Sequence, residues 1–93
     1  MIRSFRDKDT ARLFQRDRAW RWGGDVQRSG LRKLRMLNAA TSLGDLRMLP
    51  GNRLEKLAGD RAGEWSIRVS AQWRLCFRWE GSDAYDVQLI DYH

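Results

Sequence analysis

The chain has one cysteine, one histidine and one proline in 93 residues, and only three lysines. A lone Cys76 rules out an intrachain disulfide and a cysteine-rich zinc site. With His93 as the one imidazole, histidine and cysteine are too few for a metal-ligand constellation, so no cofactor is expected. The longest strictly apolar run is Leu75-Cys76-Phe77, far below the roughly 20 residues of a membrane span. It is also too short for the core of a signal peptide, and a cytoplasmic, membrane-free location is the expectation. There is no internal repeat, linker or low-complexity tract. A single domain over residues 1–93 is expected.

Arginine makes up for the scarce lysine. Of eighteen basic residues fifteen are Arg, against twelve acidic ones, for a net charge of +6 and a pI of about 10.4. The guanidinium fork grips phosphate at two points where an ammonium acts as a point charge. A basic, arginine-rich domain without a membrane signal points first toward nucleic acid, although a solvated basic surface has the same composition. The excess is uneven: residues 1–36 carry +7 and residues 37–93 carry −1. Five Trp, three Phe and two Tyr supply core material, at roughly 150–250 Å² of buriable surface per ring.

Periodicity divides the chain at Pro50-Gly51-Asn52. Before it, Ile2 to Phe5 reads as a short opening strand, and Asp7 or Asp9 can cap a helix running to about Asp17, with Leu13 and Phe14 inward. A second helix spans about Asp25 to Ala40 on the apolar row Gly30, Leu34 and Leu37, flanked by Leu31. Leu46 and Leu49 follow in a loop or a short helical turn. After the break the period becomes two. Arg53 to Leu57 is a candidate strand, then Trp65, Ile67 and Val69 alternate on a second. Trp73, Leu75, Phe77 and Trp79 mark a third, and Tyr85, Val87 and Leu89 a fourth. The short connections at Ser70-Ala71-Gln72 and Gly81-Ser82-Asp83 predict an antiparallel meander. The fold class is α+β: two N-terminal helices on one face of a twisted, mainly antiparallel sheet of four to five strands.

This pattern singles out two groups of arginines. Arg68, Arg74 and Arg78 alternate with the apolar core positions and share the opposite sheet face. They form either a phosphate-binding concavity or a solvated face balanced by Glu64, Glu80 and Asp86. Arg28, Arg32 and Arg35 form a stripe opposite the apolar row of the second helix, suited to RNA phosphates or to plain solvation. Arg18, Trp20, Arg21 and Trp22 interleave charge with rings, and packing over the helix junction is the simpler reading. Cys76 reads as a small buried side chain. His93 ends the chain after Asp91 and Tyr92, a grouping rich in proton-transfer chemistry.

Three separated stretches carry a family resemblance: L-R-K-L-R-M-L-N-A-A-T-S-L-G-D-L at 31–46, N-R-L-E-K-L-A-G-D-R-A-G-E-W-S-I-R-V at 52–69, and Q-W-R-L-C-F-R-W at 72–79. Together with the terminal D-Y-H they resemble the HigB-type toxins of the RelE/ParE superfamily, over essentially the whole chain. The resemblance implies a RelE/ParE-like fold and a ribosome-dependent endoribonuclease that cuts messenger RNA in the A site. It also implies a helix-turn-helix antitoxin, HigA-like, as partner, with operator DNA contacted only through that antitoxin. The family's acidic-tyrosine-histidine ending is present as Asp91, Tyr92 and His93, and its strand arginine as Arg74. Glu55 stands where members commonly carry a histidine, and Ala58 where they carry a lysine.

On that resemblance the expected chemistry is metal-free attack of a 2′-OH on the adjacent phosphate. Glu55 is the expected base, His93 the acid, and Arg74 the clamp on the phosphorane, with Arg68 assisting. A carboxylate and an imidazolium coexist near neutrality, since their reference pKa values are about 4.3 and 6.5. Asp91 orients the imidazole or raises its basicity, and Tyr92 bonds phosphate or stacks on a base. Arg28, Arg32 and Arg35 are expected on ribosomal RNA. Two alternatives keep the fold: a non-catalytic target trap, as ParE-like relatives trap DNA gyrase, and an attenuated toxin acting mainly as co-repressor.

Overall fold

The computed structural model describes residues 1–17 and 21–91. Helix α1 covers Lys8–Phe14, α2 Gly24–Ala39 and α3 Leu43–Arg47. Strands β1 (Glu55–Lys56), β2 (Glu64–Arg68), β3 (Trp73–Glu80) and β4 (Asp83–Asp91) form one sheet in chain order, antiparallel throughout. A single 3₁₀ turn at Gly59–Arg61 links β1 to β2. The expected α+β meander is therefore present, and of the two expectations around Leu46, a loop or a short helical turn, α3 is the helical one.

Helix α1 begins where Asp7 accepts a hydrogen bond from the Thr10 amide at 3.1 Å. It ends earlier than the predicted Asp17, because Arg16 turns to φ +62 and closes the helix in a left-handed cap. In α2 the buried positions are Gly30, Lys33, Leu34 and Leu37, the predicted row plus one lysine. Gly30 lets α1 approach closely: a Cβ there would lie 3.0 Å from Leu13 Cδ2 and 3.4 Å from Leu89 Cδ2. Ser42 caps α3 by accepting from the Asp45 amide at 3.1 Å, and the Asp45 carboxylate reaches back to the Thr41 amide at 2.9 Å. These bonds, chiefly the one from the Thr41 amide, hold the Asp45 carboxyl below the usual carboxylate range. Leu46 is thereby anchored in the core, fully buried.

The helices cover one sheet face, where Leu13, Leu34 and Leu37 meet Ile67, Leu75, Phe77, Val87 and Leu89. Trp65, Trp73 and Trp79, predicted as core, sit at its rim half-buried. Trp22 is buried edge-on against Trp73, with ring centroids 6.5 Å apart, as packing at the helix junction requires. Arg18 and Trp20 of that group lie outside the described residues. The opening strand is reduced to two parallel bridges, Ile2 to Ala84 and Phe5 to Val87, along the free edge of β4. Among the described residues no helix is long and apolar enough to cross a membrane.

Two local irregularities shape the opposite sheet face. Strand β1 begins at Glu55, not Arg53, because Arg53 adopts a left-handed φ of +44. Between the pairs Cys76–Gln88 and Arg78–Tyr85, Phe77 faces two residues of β4, a bulge with Asp86 at φ +53. The Asp86 amide donates to Ser4 Oγ at 2.9 Å, which ties the bulge to the N-terminal segment.

Candidate functional site

At the open end of the β1–β2–β3 sheet lies a cleft of about 360 Å³ lined by Arg53, Glu55, Arg68, Ser70, Ala71 and Arg74. Three of its side chains are guanidinium groups and one is a carboxylate, so the lining is net positive. Sheet register produces this concentration. Arg68 stands directly across from Arg74 on the β2–β3 ladder, and Glu55 directly across from Ser66 on β1–β2. Like charges in facing positions repel, and an anion between them removes the repulsion.

Arg74 is only 6% exposed, where a solvated face was one of the two expectations. Its Nε donates to Ser66 Oγ at 2.8 Å, and its Nη2 donates to the Arg53 carbonyl at 2.6 Å. Glu55 Oε2 lies 4.0 Å from the same Nη2, on a side chain that is about half exposed. A guanidinium held on two sides loses rotamer freedom before any ligand arrives, which is the pre-organisation that charge stabilisation needs. Arg68 is oriented through its backbone, whose amide donates to the Asn52 carbonyl at 2.6 Å. Among the described residues, neither the Arg53 nor the Arg68 side chain forms an ion pair.

The predicted row of three sheet arginines divides. Arg68 and Arg74 line the cleft, whereas Arg78 does not reach it. Its Nε donates to Asp86 at 2.8 Å and its Nη1 to Glu80 at 2.9 Å, with the guanidinium 5.5 Å from the Tyr85 ring centroid. Asp86 above all, and then Glu80, push the Arg78 pKa further up, and the Arg78 bond holds the Asp86 carboxyl below the usual range. The bulge at Asp86 brings these partners together, so Arg78 follows the balanced, solvated reading in its surroundings.

Asp91 is the last described residue of β4 and pairs with Trp73, the residue before Arg74. Its carboxylate accepts a hydrogen bond from Gln72 Nε2 at 2.9 Å. Tyr92 and His93 lie outside the described residues. Arg28, Arg32 and Arg35 are exposed on α2, and Arg28 is bonded to Asp25 one turn earlier. Lys56 points away from the cleft, 5.9 Å from the Trp65 ring centroid, as strand alternation predicts. Burial pushes the Cys76 thiol pKa up, in keeping with a packed side chain.

Sequence reasoning missed Arg53, Ser66 and Asn52. Ser66 shares the parity of Arg68 on β2, so the alternation already placed its hydroxyl on the arginine face. Lys33 was legible too, since it falls at helical spacing among Gly30, Leu34 and Leu37. Arg53 and Asn52 carried no periodic signal, because their part depends on a turn and not on a repeat.

Comparison with known proteins gives this cleft its setting. The chain is 38% identical over 90 residues to the Toxin HigB-1 of Vibrio cholerae serotype O1, covering 96% of this chain and 95% of that one. It is 38% identical over 94 residues to the Endoribonuclease HigB of Proteus vulgaris, covering both chains completely. Among solved structures, the YoeB-YefM complex from Staphylococcus aureus matches at TM-score 0.61 and 12% identity, over 100% of this chain and 98% of that one. The YoeB/ParE toxin from Agrobacterium tumefaciens matches at TM-score 0.58 and 22% identity, over 99% and 98%. These two bear out the RelE/ParE-like fold. Residues 3–93 match the model of the RelE-like toxin of the type II toxin–antitoxin system HigB, and the chain belongs to that family.

Proposed function

We propose that this toxin is an endoribonuclease that cleaves messenger RNA in the ribosomal A site and so stops translation. The observation that carries the reading is the placement of Glu55 beside a buried, tethered Arg74 in an arginine-lined cleft. The relative from Proteus vulgaris, named an endoribonuclease, supports the reaction class. Glu55 takes the proton from a ribose 2′-OH, whose oxygen then attacks the adjacent phosphorus. Arg74, with Arg68 across the ladder, compensates the charge that grows on the phosphorane oxygens. His93 protonates the departing 5′-oxygen, Asp91 orients the imidazole or raises its basicity, and Tyr92 bonds the phosphate or stacks on a base. The products are a 2′,3′-cyclic phosphate and a 5′-OH end, and no water is consumed. These side chains carry out the step without a metal ion.

The ribosome supplies what a small cleft lacks. By holding the message in one conformation it removes the entropy cost of aligning attacking oxygen, phosphorus and leaving oxygen. Arg28, Arg32 and Arg35 supply phosphate contacts for docking, and a HigA-like helix-turn-helix antitoxin restrains the toxin in the cytoplasm. Mapping RNA 5′ ends on translating ribosomes after induction tests the reading. Discrete cuts at A-site codons are expected. Intact messages with DNA breaks indicate a gyrase trap, and neither outcome indicates co-repression as the main role.

A further inference from the structure

We propose that Asn52, clamped by the buried Lys33, is the positioning residue that sets both cleft arginines in place. Three elements converge on it, and a fourth on the residue that follows it. Asn52 is fully buried, and Lys33 Nζ donates to its Oδ1 from α2. Its Nδ2 donates to the Leu46 carbonyl of α3 at 3.1 Å and to Met36 Sδ at 3.3 Å. Its own carbonyl accepts from the Arg68 amide of β2 at 2.6 Å. The next carbonyl, that of Arg53, accepts from Arg74 Nη2 of β3 at 2.6 Å, and the left-handed φ of +44 at Arg53 aims it there.

Lysine decides which way the amide points. An ammonium only donates, so Oδ1 must face Lys33 and Nδ2 must face the Leu46 carbonyl. A reversed amide would set donor against donor on one side and acceptor against acceptor on the other. The arrangement carries a cost. Lys33 is 7% exposed, and among the described residues no carboxylate pairs with it. Burial first, then Arg32 and Arg68, pull its pKa below the usual lysine range. An apolar side chain at the same helical position would avoid that desolvation. What the lysine adds is a fixed direction for the residue on which both arginines depend.

For its effect on cleavage the proposal rests on the nuclease reading, but the positioning itself is observable without RNA. The test uses the full chain, with Asn52→Ala and Lys33→Met as variants. Two quantities are measured: the Arg74 Nε–H and Arg68 amide resonances of ¹⁵N-labelled protein, and single-turnover cleavage on programmed ribosomes. Both variants are expected to shift the two resonances and speed exchange of the Arg74 Nε proton with water. The cleavage rate is expected to fall about 10²-fold, the usual consequence of a misplacement near 1 Å. The ribosome concentration at half-maximal rate should stay at the wild-type value. Lys33→Met retains the stem of the side chain and the other bonds of Asn52, so it serves if Asn52→Ala does not fold. A folded variant with both resonances and the rate at wild-type values overturns the proposal. If wild type cuts no RNA while the variants still move the resonances, the nuclease reading fails and the positioning stands.

Discussion

Arg68 and Arg74 face each other across the β2–β3 ladder, yet only Arg74 is buried and tethered. Two guanidinium groups in facing positions are repulsive by themselves. The Ser66 hydroxyl and the Arg53 carbonyl hold one of them, and the other stays available at the cleft wall. The pair thus combines a fixed donor with an adjustable one, which suits a phosphate whose charge grows during reaction.

Arg74→Lys should be far from conservative. A single ammonium cannot reproduce a fork that bonds Ser66 Oγ and the Arg53 carbonyl together. Cleavage on ribosomes is expected to drop about 10²–10³-fold. Thermal unfolding should show a loss of about 1–3 kcal/mol from the acceptors left unpaired. A lysine variant that cuts at the wild-type rate removes Arg74 from the role of clamp.

Glu55→Gln separates chemistry from folding. The side chain is about half exposed, so stability should stay within about 0.5 kcal/mol of wild type. Single-turnover cleavage should fall about 10²–10⁴-fold, the range for loss of a general base. Unchanged cleavage makes Glu55 an exposed strand carboxylate and no more.

The α2 stripe should act through salt. Replacing Arg28, Arg32 and Arg35 with Ala is expected to weaken ribosome association and flatten its dependence on ionic strength. Because Arg28 is already bonded to Asp25, the loss should be nearer about two charges than about three. An unaltered salt slope assigns the stripe to solvation.

Acid should dissolve the Arg78–Asp86 pair. The Arg78 bond holds the Asp86 pKa below its unfolded value of about 3.9. The stabilisation is therefore complete above the unfolded value and disappears as pH falls through the lower, folded one. Asp86→Asn keeps the left-handed backbone tolerable and removes the titration. The stability difference between wild type and this variant should be constant near neutrality and shrink in acid. Chemical unfolding at a series of pH values measures it, and a difference that grows in acid contradicts the assignment.

Gly30→Val should loosen the helical layer. The added branches meet Leu13 and Leu89 where even a Cβ is tight, so a loss of about 1–3 kcal/mol is expected. Denaturant midpoints test this, and a stability equal to wild type shows that α1 can retreat without cost.

Local patterns were enough to write down the helices, the meander and the parity of the sheet arginines, because periods of 3.6 and 2 follow from backbone geometry alone. The side chains at 68, 74 and 78 had to share a face, and Leu34 and Leu37 had to be buried. The family resemblance added Glu55, Asp91, Tyr92 and His93 as candidates, two of which lie outside the described residues. Parity cannot state which arginine meets which partner. Strand register put Arg68 opposite Arg74, and the bulge at Asp86 gave Arg78 to carboxylates. The left-handed turn at Arg53 shortened β1 and turned a carbonyl toward Arg74. Each of these joins residues far apart in the chain through a single contact. Such contacts leave no periodic trace, so the scarcity of lysine could be counted in the sequence while the burial of Lys33 against Asn52 had to be seen in the fold.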